Sequence, residues 1–521
     1  MGRNTRSREL GLHCRVVVVG ALFALIFPWR VSAGGEPSGS SALGGGTFYV
    51  ATDGSDDTGD GSLADPWATI TFALDSVPDG SEILVQPGTY NGRIRMRGTF
   101  PNGVIVRSET PYAARLRNND RVLTFYDDPR GVEGITLEGF DIAHDGPGAA
   151  ALVVHVDGAG TSAVSRITLR NNVMHDSYNN DVLKINNAAI DVLVEGNLFF
   201  NQSGSDEHID INGVEDVVVQ DNVFFNDFAA SGRTDPGNTS SFIVIKDSNG
   251  GEDIFLGSRN VTVRRNIFLN WEGSTGSNFL LLGEDGQAIY EAREILVENN
   301  LMLGNSENVM RAAFGVKGGR DITFRHNTVV GDLPALAFAM RLNREGANPV
   351  NENITFYNNI WSDPTGSMGA SFGGSNDFSD TPPADLMSFE LDNNLYWNGG
   401  SALPEDPGEE VNPSDDTAAI EADPRLALQT GLVVPHFDPG IGFADGSDSI
   451  REAFVRLATL YGTPAEGSAA LDAANSAQSP AEDLLGSPRV GATDVGAVEG
   501  LGIFADGFES GDTSAWSLVS P

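Results

Sequence analysis

The chain has 521 residues, 72 acidic side chains against 32 lysines and arginines, a formal charge of -40 and one cysteine. So acidic a surface repels nucleic acid and anionic membranes, and it repels acidic polysaccharides too unless a local cation or bound metal reverses the field. A lone cysteine excludes a disulfide framework and a cysteine metal site.

Residues 1–33 read as a cleaved secretory signal. Arg3, Arg6, Arg8 and Arg15 supply the basic start, VVVVGALFALIF is an apolar run too short to span a bilayer comfortably, and VSA is a small-residue cleavage site. Cys14 falls inside this segment, so the mature chain is expected to carry no thiol. Residues 34–46, GGEPSGSSALGGG, form a flexible linker. The fold begins at 47, where ATITFALDSV predicts a short helix closing the open end of a solenoid and ILVQPGTY gives the first strand and turn. Such ends need caps because an exposed terminal rung would pair with another chain.

From about Gly103 to Asn398, short β-rich runs alternate with turns rich in Asn, Asp and Gly, and no run keeps a helical period. One phrase returns throughout: ITLRNNVMHD, VLVEGNLFFN, VVVQDNVFFN, VTVRRNIFLN, ILVENNLMLG, ITFRHNTVVG and ITFYNNIWSD. Its asparagines are Asn172, Asn197, Asn222, Asn266, Asn300, Asn327 and Asn359, with Asn394 an eighth; the closest are 25 residues apart and the rest 27 to 44. A short period with length variation between copies marks a solenoid. Coils of three short strands and three turns predict an all-β, right-handed parallel β-helix over 47–400. Stacked asparagines can hydrogen-bond from rung to rung, so their role is structural. Residues 401–500 predict an irregular extension with one helix in REAFVRLATLYG, and SPAEDLLGSPRVGATDVGAVEG resembles the closing phrase of many secreted bacterial β-helix proteins. The stretch 501–521 resembles a C-terminal sorting or anchoring tag of exported bacterial proteins.

Alternate strand residues point inward and outward. In DVLKIN, Leu183 and Ile185 are expected to face in, Lys184 and Asn186 out. In EHIDING, Ile209 and Ile211 face in, and His208, Asp210 and Asn212 out. In FIVIKDS, Ile243 and Ile245 face in, and Lys246 emerges. Stacking gathers these side chains on one face with Asp181, Asp206 and Glu207. Oxygen ligands converging from neighbouring turns suit Ca²⁺, and a divalent cation would offset the repulsion of four close carboxylates. Lys317 and Arg341 stand at similar outward positions and are candidates, with Lys184, for binding further carboxylates. His208 beside two acids is a candidate substrate contact, and otherwise a paired surface residue or a general base.

Asp206-Glu207-His208-Ile209-Asp210, with Asp181 about one coil earlier and Lys246 in a later coil, resembles the Asp-Asp-x-x-Asp and lysine phrases of polysaccharide lyase family 9; the YVATDGSDDTGDG opening is similar to the N-terminal cap of those enzymes. Glu207 replaces the usual second aspartate, His208 stands where a small residue is common, and the lysine phrase lacks flanking glycines. The resemblance implies a secreted Ca²⁺-dependent pectate lyase-like enzyme that cleaves a uronic acid polymer by β-elimination, with Asp181, Asp206, Glu207 and Asp210 on the metal and Lys246 as base. It further implies that the cation and partial burial lower the lysine's pKa. Weaker similarity links the NLFF-type turns to the chondroitinase B and alginate lyase type, which places its lysine soon after its acidic pair; Gly213 occupies that region here. The alternatives are another β-helix carbohydrate enzyme, an epimerase or a metal-independent hydrolase, and a non-catalytic glycan-binding or adhesive surface protein. The expected partner is an acidic polysaccharide, and the chain is expected to be a monomer.

Overall fold

The computed structural model describes residues 45–500, apart from 160–162, 251–253, 276–277, 306–310, 332–337 and 369–377. The expected signal, most of the linker and the C-terminal tag lie outside the described residues. Each complete coil contributes one strand to each of three parallel sheets, which hold twelve, ten and twelve strands because the terminal coils are partial. The first sheet runs from Thr47–Val50 to Phe389–Asp392, the second from Ile94–Met96 to Ser379–Asp380, and the third from Gly88–Asn91 to Ile420–Glu421. This is the expected right-handed parallel β-helix.

Inward positions stack into columns of like side chains. Ile167, Val192, Val217, Val261, Ile295, Ile322 and Ile354 are register partners in successive coils of the first sheet, and all are buried. Phe199, Phe224 and Phe268 stack at ring-centroid separations of 4.8 and 4.9 Å. Burying each such side chain stabilises the fold by about 1.5–3 kcal/mol.

The corner between the first and third sheets carries the asparagine repeat. Each asparagine Oδ1 accepts from the preceding rung, as Asn197 Oδ1 does from Asn172 N (2.9 Å) and Asn172 Nδ2 (3.2 Å). Each Nδ2 also donates to a buried backbone carbonyl, such as that of Val194 for Asn222 (3.0 Å). The series continues through Asn222, Asn266, Asn300, Asn327, Asn359 and Asn394 and ends on Asp416 Oδ2 at 2.9 Å. The residue before each asparagine takes positive φ, as at Asn171, Asp221, Asn299, Asn358 and Asn393. Asn, Asp and Gly tolerate that conformation, which explains the NN, GN and DN pairs. Arg265 and His326 adopt it too, at a cost of roughly 1–2 kcal/mol each. The corner is short in every coil from Glu195/Leu198 to Tyr357/Ile360. Coil length varies at the other two corners, both of which flank the second sheet: residues 201–206 in one coil correspond to 226–240 in the next, and 213–214 to 247–257.

The helix Ile70–Ser76, with Thr69 Oγ1 accepting from Phe72 N, buries Ile70, Ala73 and Leu74 at the N-terminal end as expected. The predicted C-terminal helix is Ile450–Leu457, continuing as a wider turn through Gly462. Ile450, Phe454 and Leu457 pack with Phe200, Phe225, Ile267 and Leu301 of the third sheet. Where the helix covers it, that sheet is therefore apolar on both faces, which accounts for the unbroken NLFF, NVFF and NIFL runs. The first sheet's outer face carries paired charges such as Arg170–Glu138 and Arg259–Glu215. The second sheet gathers on its outer face the carboxylates and lysines expected from the sequence. No helix among the described residues is long and apolar enough to cross a membrane.

Candidate functional site

Three strands of the second sheet, Leu183–Asn186, Glu207–Asn212 and Ser241–Lys246, build the site. Their register places Lys184 beside Asp210, and Asn186, Asn212 and Lys246 in one column. Lys184, Asp210 and Lys246 face outward as expected. His208 does not: it is fully buried, its Nε2 lies 2.9 Å from Asn226 Oδ1, and its ring packs edge-on against Phe242 at 4.9 Å. Alternation breaks once in every coil here. Val182–Leu183, Phe242–Ile243 and Phe279–Leu280 are consecutive core pairs, and His208–Ile209 is the same pair in its coil. The break turns His208 inward and brings Glu207 to the outer face. Burial lowers the His208 pKa to about 3, so it is a neutral core residue, neither a surface base nor a substrate contact.

Asp181, Glu207 and Asp210 converge, with one oxygen of each within 4.8 Å of the others. All three are buried, and Asp181 Oδ2, Glu207 Oε2 and Asp210 Oδ1 have no hydrogen-bond partner. Asp181 Oδ1 accepts from Glu207 N at 3.2 Å. Burial, then the charge of Asp210, pushes Asp181 up to about 7; burial and Asp181 raise Glu207 well above the carboxylate range. Asp206 is half-buried and stands outside this group of three, with its pKa raised chiefly by burial.

Lys184 Nζ is hydrogen-bonded to Asp210 Oδ2 and lies 3.7 Å from Asp181 Oδ2. Lys246 Nζ donates to Glu284 Oε2 at 2.7 Å and lies 3.9 Å from both Asp210 Oδ2 and Asp285 Oδ2. Burial works against its ammonium, but Asp210, Glu207 and Glu284 together outweigh it and raise the pKa above the lysine value. The lowering expected from the sequence is tied to a bound cation; the carboxylates that surround the amine act the other way and hold its proton. Lys317 pairs with Glu345 at 3.0 Å and Arg341 with Asp380 at 2.7 Å. Arg341 shares the column of Lys184 five rungs further on, roughly 24 Å at the ~4.8 Å strand spacing.

The Glu284 contact was missed in the sequence. Gly283 N donates to Ile245 O at 2.7 Å, so the GEDG turn sits one coil beyond Lys246; carrying the register one coil further would have found it. Glu291, fully buried, holds that turn by accepting from Glu284 N, Asp285 N and Gln287 N at 2.9–3.0 Å.

No protein-family model and no curated protein matches the chain. Among solved structures, it is similar to pectate lyase Pel9A at 14% identity, covering 87% of this chain and 96% of that one with a TM-score of 0.46. A mannuronic acid-specific family 6 polysaccharide lyase from human gut microbiota aligns at 13% identity over 68% of this chain and 81% of its own, with a TM-score of 0.41. PfbA, a surface adhesin of Streptococcus pneumoniae, aligns at 15% identity over 63% and 80%, with a TM-score of 0.44.

Proposed function

We propose that this protein is a secreted lyase that cleaves a uronic acid-containing polysaccharide by β-elimination, using Ca²⁺ held by Asp181, Glu207 and Asp210, with Asp206 at the rim as a fourth donor. The observation that carries the reading is the trio of buried carboxylates, each with an unpartnered oxygen, beside two lysines on one outer face. An all-oxygen donor set fits a hard cation, and so much buried like charge is costly without one. Bound there, the cation would grip the substrate carboxylate and make the C5 proton more acidic. Lys184, pinned between Asp210 and Asp181, orients the ligand carboxylates. Lys246 is assigned as the base. It can act only once the field of Asp210, Glu207 and Glu284 is offset, the first two by metal ligation and the last by displacement. The C5 proton then passes to Nζ, its electron pair forms the C4–C5 double bond, and the bond from C4 to the glycosidic oxygen breaks, its electrons leaving with that oxygen, which takes a proton from water. Lys317 and Arg341 are candidate contacts for further carboxylates.

A second reading, glycan binding without cleavage, is favoured by the full ion pairing of Lys246. One assay separates them: the mature protein with pectate, alginate or chondroitin sulfate, in Ca²⁺ or chelator, monitored for ultraviolet absorbance of new double bonds. The lyase gives Ca²⁺-dependent absorbance that Lys246→Ala abolishes with the fold intact. Binding without absorbance on every polyuronate supports the second reading, and retained activity in Lys246→Ala removes the base assignment. Glu284→Gln should move the limb where rate rises with pH to lower pH, because the base works deprotonated and loses a neighbour that holds its proton.

A further inference from the structure

A second group of charges lies on the same outer face, nearer the N-terminus. Arg95 heads the column that continues through Thr124, His155 and Lys184 to Asp210. Leu123 and Leu183 share a column through Val154; counting two residues back from each aligns Arg121 with Asp181, two rungs away. Arg93 precedes the same strand as Arg95 and donates from Nε to Thr124 Oγ1 at 3.2 Å. Burial and the neighbouring charges of Arg121 and Arg95 lower its pKa, as expected where three guanidinium groups crowd together.

These arginines differ from the other cations of this face. Lys184, Lys246, Lys317 and Arg341 are each ion-paired. Arg93, Arg95 and Arg121 form no ion pair among the described residues, in a chain of charge -40. The nearby Asp157 is engaged with Asn187 Nδ2 and Ala159 N, and Asp120 is exposed. Arg121 Nε is buried with no acceptor. Beside the group opens a cavity of about 420 Å³ lined by Thr69, Thr71, Tyr90, Asn91, Arg93 and Arg95. His155, between the arginines and Lys184, is buried with a pKa lowered to about 4 by burial; it presents a neutral ring at neutral pH.

The geometry points to an anion subsite: Arg93, Arg95 and Arg121 bind a carboxylate of the polyuronate several sugar units away from the uronate at Asp181, Glu207 and Asp210. This deepens the proposed function and rests on that reading for the identity of the polymer. At the ~4.8 Å strand spacing, Arg121 stands about 10 Å along the axis from Asp181, and Arg95 about 19 Å from Asp210. The polymer therefore lies along the solenoid axis, crossing the strands, and only a chain long enough to reach both groups gains from both. Guanidinium suits the task because its planar fork donates two parallel hydrogen bonds to a carboxylate.

The test is calorimetric binding of galacturonate and mannuronate oligomers, dimer through octamer, to the full mature chain with Ca²⁺ and with chelator. The double variant Arg93→Gln/Arg121→Gln is compared with wild type, and Arg107→Gln, on the first sheet against Glu82, controls for net charge. Wild type should bind the octamer more tightly than the dimer. The double variant should lose about tenfold in octamer affinity, little in dimer affinity, and part of the salt dependence; Arg107→Gln should match wild type. An unchanged melting curve shows that the double variant folds. Equal octamer affinities in wild type and double variant, no gain with length, or no binding of any oligomer overturns the subsite. Arginine-dependent binding without double-bond formation sinks the lyase reading and leaves the subsite standing; cleavage with arginine-independent binding does the reverse.

Discussion

The three buried carboxylates make a prediction about stability that needs no substrate. Asp181→Asn keeps the shape of the side chain and the Oδ1 acceptor for Glu207 N, but removes the charge. Burial and Asp210 raise the carboxyl from its ordinary 3.8 to about 7, so at pH 8, above both values, its ionised form costs the folded state about 4 kcal/mol. Because the folded-state pKa is the raised one, that cost is fully present above pH 7. It fades as pH falls through 7 and is gone below 3.8, where the carboxyl is protonated in both states. In chelator at pH 8, Asp181→Asn should therefore be more stable than wild type, melting roughly 4 °C higher at ~2.1 cal/mol/K of unfolding entropy per residue for a unit of this length. The gap should narrow steadily toward pH 5. Added Ca²⁺ should raise the wild-type melting temperature by mass action and leave the variant nearly unmoved. Calorimetry of both proteins across pH, with and without Ca²⁺, gives the result. A variant no more stable than wild type in chelator, or a gap that does not change with pH, would refute the claim that these carboxylates are strained in the metal-free fold.

The asparagine series gives a second expectation. Asn222→Ala strips partners from Val194 O, Asn197 N and Asn266 Oδ1 and leaves a cavity, so it should cost about 3 kcal/mol or more in urea unfolding; Asn222→Asp should cost more, since a carboxylate would face two acceptors, and an unchanged midpoint for either would contradict the pairing. His208, held neutral with a pKa of about 3, should show no imidazole titration by NMR between pH 8 and 5. Its folded pKa lies below its unfolded value of 6.5, so stability is lost as pH falls from 6.5 toward 3, by up to ~1.4 kcal/mol per pH unit; a native midpoint above 5 would place the ring outside the core.

The period of the asparagine phrase made the fold and the stacking of distant strands legible, because the same two hydrogen-bonding needs recur at every corner. The outward placement of Lys184, Asp210 and Lys246 followed from simple alternation, since Leu183, Ile185, Ile209 and Ile211 keep a strict period of two. His208 escaped that rule because the chain enters the second sheet through a bend, and two successive residues, His208 and Ile209, turn into the core. Nothing in EHID distinguishes this from ordinary alternation except that the equivalent residues in other coils, Val182, Phe242 and Phe279, are apolar. The protonation of Lys246 escaped for a different reason. Its partner Glu284 belongs to a coil beyond the resemblance phrase, and a lysine's titration is set by every carboxylate facing it.

The contrast between one fixed corner and two variable ones has a consequence for change over time. The hydrogen-bonded asparagine column keeps the coils in step, so residues inserted or deleted in segments such as 203–205 and 229–238 should leave the register of Asp181, Asp210 and Lys246 unchanged. Those segments border the sheet that presents the acidic group. The scaffold thus separates inheritance of the reactive geometry from variation of the loops beside it, and grafted loops at these two corners offer a direct route to altered substrate preference.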